Sequence, residues 1–174
     1  GDMIGVAKAN SNVDMGKLEF CVRDHLNQES PRVMAVLDPL KVVITNMEEG
    51  RIESMDAPLY PHDIPLEGSR TVPFTNTVYI ERSDFMETPV KGFFRLTPGG
   101  KVRLRYAYII SCDEVIKDAN GEVTELRCSL IPSSRSGSDT SGMKVKGTIH
   151  WVSAQKECKP RLECTTDCSL SPFL

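Results

Sequence analysis

The segment KVRLRYAYIISCDEVI, residues 101–116, carries the longest alternation of the chain: Val102, Leu104, Tyr106 and Tyr108 interleave with Arg103, Arg105, Ala107 and Ile109. Period-two alternation is the mark of a half-buried strand. Gly99–Gly100 precedes it as a turn, and KDANG (117–121) follows as a hairpin loop, because Asn-Gly tolerates the positive φ of a tight turn. EVTELRCSL (122–130) then returns alongside. Further strands are expected at VMAVL (33–37) and KVVIT (41–45) around the turn pair Asp38–Pro39, at TVYIE (77–81) and at KVKGTIHWVS (144–153). PSSRSGSDTSG (132–142) reads as a flexible loop, and residues 46–70, acidic and broken by Pro58, Pro61, Pro65 and Gly68, as a surface excursion. One helix is expected over 12–28, where Met15, Leu18, Val22 and Leu26 recur at helical spacing. Ser11 with Asp14, or Asn12, supplies its cap, and Pro31 stops it. The expected fold is mainly β: an antiparallel β-barrel or sandwich preceded by one amphipathic helix, without an internal repeat.

Several classes of function drop out. The chain has 174 residues, enough for a substantial core, and a mean hydropathy of -0.25. Its apolar runs fall far short of the ~20 residues of a membrane helix, and no secretory leader is visible. Gly1 in place of an initiator suggests a piece excised from a longer protein. Phosphate loops, GxSxG, HExxH and paired carboxylates in a catalytic frame are absent from the sequence. His25, His62 and His150 are scattered, and His150 beside Trp151 reads as a hydrogen-bonded, partly buried histidine. Cys21, Cys112 and Cys128 fall in apolar elements as small hydrophobes. Cys158, Cys164 and Cys168 lack zinc-ribbon spacing. A reduced, cytoplasmic, non-catalytic protein without a metal is expected.

Charge arrangement says more than the net charge of -3. Between Lys91 and Cys112 there are five basic residues, Lys91, Arg95, Lys101, Arg103 and Arg105, and no acid. Between Glu48 and Glu67 six acids stand against Arg51. On one extended strand Arg103 and Arg105 would share a face roughly 7 Å apart, a spacing suited to neighbouring phosphates. Lys91 and Arg95 would return beside them if the two segments pair across Gly99–Gly100. Phe93 and Phe94 offer stacking surfaces for unpaired bases. The competing reading pairs these arginines with the acidic 48–67 segment and buries the phenylalanines in the core.

The stretches IGVAKANSNVDMGKLEFCVRDHLNQESPRVMAVLDPLKVVITN, VYIERSDF, GFFRLTPGGKVRLRYAYII and VKGTIHWVSA resemble the carboxy-terminal half of the glutaminyl-tRNA synthetases, from about Ile4 to Ala154. The resemblance implies the end of a helical subdomain over 1–31, then a proximal anticodon-binding β-barrel over 32–157. It places the catalytic Rossmann domain, with its ATP and Mg, in the rest of a parent chain, so no cofactor is expected here. A second, distal barrel belongs to the same family and is expected to be missing. The implied partner is the anticodon loop of tRNA(Gln), bound by a monomer. Residue by residue, Arg32 in SPRVM matches a reader of the middle anticodon base and Arg95 in FFRL a reader of the third. Arg103 and Arg105 in VRLR match residues serving the first base and nearby backbone, and Lys91 joins them by position. Phe94 departs from the family, which commonly has lysine there. A related glutamyl-tRNA synthetase barrel, or a protein-interaction barrel in a multi-synthetase assembly, is the alternative. Residues 158–174 depart from the family altogether. Shifted by one base, their codons permit a family-like continuation, so a frameshift, a mis-called intron or a cloning error near Pro160 is expected, with the tail poorly packed.

Overall fold

The structure, a computed structural model, describes residues 14–61 and 65–154. The tail 158–174 with its cysteines, His62, Ser11 and Asn12 lie outside the described residues. The helix α1 spans Met15–Glu29, and its cap is Asp14, whose carboxylate accepts the Gly16 amide at 2.9 Å. At its other end the Ser30 amide donates to Leu26 O at 2.9 Å, and Pro31 follows. No residue of α1 is buried, so its apolar stripe of Met15, Val22 and Leu26 faces outward.

Nine strands follow among the described residues: β1 (Pro39–Ile44), β2 (Glu53–Pro58), β3 (Ser69–Phe74), β4 (Thr77–Glu81), β5 (Lys101–Leu104), β6 (Ile109–Lys117), β7 (Val123–Leu130), β8 (Thr148–Ile149) and β9 (Trp151–Ser153). Seven form one sheet in the order β8-β5-β6-β7-β1-β4-β9, and β2 pairs with β3 apart from it. The outermost strands, β8 and β9, are separated in the chain by His150 alone. A single segment therefore hydrogen-bonds to both ends of the sheet and rolls it into a nearly closed barrel, which leaves little edge exposed. The pairing is mostly antiparallel, but β1–β7 and β5–β8 are parallel.

Alternate side chains point inward, as period two requires. Leu40, Val42 and Ile44 of β1 meet Val78 and Ile80 of β4, Val102 and Leu104 of β5, and Leu126 and Cys128 of β7, all at most 1% exposed. Phe74 of β3 enters this core and stacks edge-on against Trp151 with ring centroids 5.1 Å apart. The Trp151 indole N–H is satisfied by Arg105 O at 2.8 Å.

Four expectations are corrected. The alternation at 101–116 is not one strand. Tyr106 takes φ 63, the left-handed region, and the chain reverses there, so β5 and β6 pair with each other as a hairpin. The signal was the buried run 107–110, which breaks strict alternation. Residues 33–37 form no strand: Val33 and Leu37 are 69% and 91% exposed. This connector is instead pinned by its backbone, the Leu37 and Asp38 amides donating to the Glu81 carboxylate at 2.9 and 2.8 Å. The 46–70 excursion contains β2, which pairs with β3 and places Met55 and Ala57 in the core. The 144–153 strand is confined to β8 and β9. The KDANG hairpin forms as expected: Asp118 Oδ1 accepts the amides of Asn120 and Glu122, and Gly121 takes φ 83. Cys112 and Cys128 are buried free thiols, as expected, while Cys21 is half-exposed.

Candidate nucleic-acid interface

Both edges of β5 are occupied, one by β6 and the other by β8, so residues 91–95 do not return beside Arg103 and Arg105 as a hairpin. They pack instead against residues 143–147. The contact is close: Gly147 is buried, and a Cβ built on it would lie 1.7 Å from Phe94 O. Only glycine permits that approach. Gly147 O in turn accepts the Arg103 amide at 3.0 Å, which ties this crossing to β5.

Between the two segments lies a groove of about 510 Å³, lined among others by Phe93, Phe94, Arg95, Lys101, Lys144 and Lys146, with no acidic residue in its wall. Phe94 is 55% exposed and Phe93 is half-buried, so the competing reading that buries both in the core fails for Phe94. The Lys146 ammonium stands 5.4 Å from the centre of the Phe94 ring, within cation–π range.

The sequence-identified basic residues take separate places. Arg95 lines the groove and is held from behind by Asp84, its Nη1 2.7 Å from Asp84 Oδ1. Asp84 is buried, and burial pushes its carboxyl above the ordinary value of 3.8 despite the opposing pull of Arg95. Arg103 points its guanidinium into the 132–142 loop, donating to Ser134 O at 2.8 Å and pairing with Asp139. The hydroxyl and amide of Ser141, and then Arg103, hold the Asp139 carboxyl below its ordinary value. Buried Ser134 anchors the same loop, accepting the Ile109 amide and donating to Ile131 O. Arg105 sits in the β5–β6 turn rather than on a shared strand face with Arg103. Its backbone is fixed by Ile149 and Trp151, while its exposed guanidinium lies 5.9 Å from the Tyr106 ring. Lys91 is exposed on the turn leading into Phe93. Arg32 lines a different groove, with Leu18, Val22 and Leu26 of α1, and its amide donates to Leu59 O.

Neither acid that pairs with these arginines belongs to the 48–67 segment; Glu53 there serves Arg51 and the Tyr108 hydroxyl. The sequence reading passed over Lys144 and Lys146. Their signal was present, since KVK precedes the glycine in a stretch, 140–154, without an acid. Among the described residues no cluster of His, Cys, Asp and Glu fit to hold a metal occurs, and no helix is long and apolar enough to cross a membrane.

A basic groove with an exposed aromatic, at the rim of a small barrel, is the form expected of a surface that grips unpaired nucleotides. Comparison with known proteins agrees. Residues 30–131 match the family model described as "tRNA synthetases class I (E and Q), anti-codon binding domain". The chain is 56% identical over 151 residues, 87% of its length, to a glutamine–tRNA ligase of Bradyrhizobium diazoefficiens. It is 55% identical over 152 residues to that of Rhodopirellula baltica and 54% over 157 residues to that of Clostridium perfringens. It spans about a quarter of those relatives, 27%, 25% and 28% of their lengths. The chain belongs to the anticodon-binding domain family of the class I tRNA synthetases for glutamate and glutamine.

Proposed function

We propose that this chain is the anticodon-gripping part of a glutaminyl-tRNA synthetase, acting in the cytoplasm as a monomer on tRNA(Gln). The parent enzyme would attach glutamine to that tRNA with ATP and Mg in a catalytic domain elsewhere in the chain. The observation that carries this reading is the acid-free groove of Arg95, Lys101, Lys144 and Lys146 around Phe94. Cations there neutralise backbone phosphate, and the aromatic ring accepts a base. Arg95, oriented by Asp84, is the residue placed to read a base edge, in keeping with its resemblance to the reader of the third anticodon position. Arg105 and Lys91 supply exposed charge to the backbone. Arg103 acts chiefly through the loop it fastens, and Arg32 serves the middle base from its own groove beside α1. In the parent enzyme, Arg95→Ala should lower discrimination between the cognate anticodon and one altered at the third position by about 1–3 kcal/mol. Unchanged discrimination overturns the assignment.

A further inference from the structure

Phe94 is a large apolar side chain left in the open, and the structure gives its exposure a physical sense. The backbone at this point cannot fold the ring inward. Its carbonyl is in close approach to buried Gly147, the Phe93 amide is bonded to Val90 O, and the Leu96 amide to Asp84 O. Leu96 takes the buried place, at 0% exposed, and Phe94 is left 55% exposed. Lys146 stands over the ring, and Lys101, Lys144 and Arg95 complete a wall without an acid. An exposed ring ringed by cations suits a ligand that combines a flat π-face with negative charge. A nucleotide in a single strand is such a ligand; an apolar peptide is not, because four ammonium and guanidinium groups would have to shed water to meet it.

We propose that Phe94 is a stacking platform for one unpaired base of the RNA loop, with Lys144 and Lys146 holding the phosphates that flank it. This rests on the anticodon reading above and adds to it a specific contact for one base. Stacking on an aromatic side chain is tolerant of base identity, so Phe94 contributes affinity while Arg95 contributes choice. The ring carries no charge, so binding depends less on salt than it would with a lysine at 94.

The experiment uses this chain and an anticodon stem-loop RNA carrying 2-aminopurine at each loop position in turn, at low salt. Stacking on Phe94 predicts a fluorescence change that depends on the ring at one loop position. Phe94→Leu should abolish that change and weaken binding about 5- to 100-fold, with the salt slope unaltered. Phe94→Trp should retain both, and Phe94→Lys should lose the change but steepen the salt slope by about 0.7. Because residue 94 is exposed, the thermal midpoint of each variant should match the parent sequence, separating loss of contact from loss of fold. Wild-type binding with an ordinary salt slope that Phe94→Leu leaves untouched sinks the platform and spares the anticodon reading. No RNA binding by the wild-type chain at low salt sinks both, and docking of a protein in the groove would be the remaining use of it.

Discussion

Asp84 and Arg95 form an ion pair that is dry at one end and wet at the other: the Asp84 side chain is 6% exposed, the Arg95 side chain 53%, and 2.7 Å separates Oδ1 from Nη1. The carboxylate is a fixed anchor, set at the end of β4 by the short helical turn of residues 82–84. The guanidinium is thereby aimed outward with fewer rotamers to lose on binding, which favours affinity. Asp84→Asn keeps the shape and removes the charge. It also removes the cost of an ionised carboxylate under burial, and the released Arg95 can reach water. Stability should therefore move by only about 1 kcal/mol, whereas discrimination at the third anticodon base should fall about 10-fold, or about 1.4 kcal/mol. The comparison of urea midpoints with aminoacylation of anticodon variants by the parent enzyme decides it. Equal losses in both would mean a purely structural pair.

Gly147→Ala probes the crossing that builds the groove. A Cβ at 1.7 Å from Phe94 O cannot be accommodated without moving one of the two segments. The expected cost is on the order of 3 kcal/mol by chemical denaturation, with RNA affinity lost alongside. A fully stable Gly147→Ala variant would show that the two segments are not held in this contact.

The two arginines of the VRLR segment should behave differently. Arg103 is spent on Ser134 O and Asp139, so Arg103→Ala should destabilise by about 1–2 kcal/mol, coupled to Asp139→Ala in a double-mutant cycle. Arg105→Ala should leave the urea midpoint alone and reduce the salt slope of RNA binding by about 0.7. The reverse pattern would exchange their roles.

The Glu81 carboxylate is held below its ordinary value of 4.5 by the Leu37 and Asp38 amides, in that order. A depressed folded value means the ionised form is favoured by folding. Its contribution is present above pH 4.5 and is lost as pH falls below that point. Hydrogen-exchange protection of the Leu37 and Asp38 amides, corrected for intrinsic rates, should fall in that acid window and already be low in Glu81→Gln at neutral pH. Protection indifferent to both changes would remove Glu81 as the clasp on the connector that follows Arg32.

The residues legible from sequence were those whose local chemistry and tertiary place agree. TVYIE is β4 with its expected bounds because alternation and burial coincide there, and KDANG turns because Asp118 and Gly121 satisfy the turn by themselves. Residues 101–116 misled because Tyr106, a β-favouring residue, takes the left-handed turn position instead of a glycine. VMAVL misled because an apolar run with strand propensity leaves Val33 and Leu37 exposed and only Met34 against the core, with its order supplied by Glu81 from 44 residues away. For the site, the arginine-rich segment was visible but its partners were not. Asp84, Asp139 and Gly147 gain their meaning only through contacts distant in sequence, and Lys144 and Lys146 join Arg95 only because the barrel closes.

The most direct measurement is a salt titration of this chain binding an anticodon stem-loop of tRNA(Gln), beside the same RNA with a changed anticodon. The chain's net charge is -3, so attachment through overall charge is disfavoured, and binding must come from the local groove. With three or four cations on phosphate, log K should fall linearly with log salt at a slope of about -2 to -3. The cognate loop should bind more tightly at every salt concentration, and weakly at physiological salt. A slope near zero, or equal binding of both loops, would contradict the account.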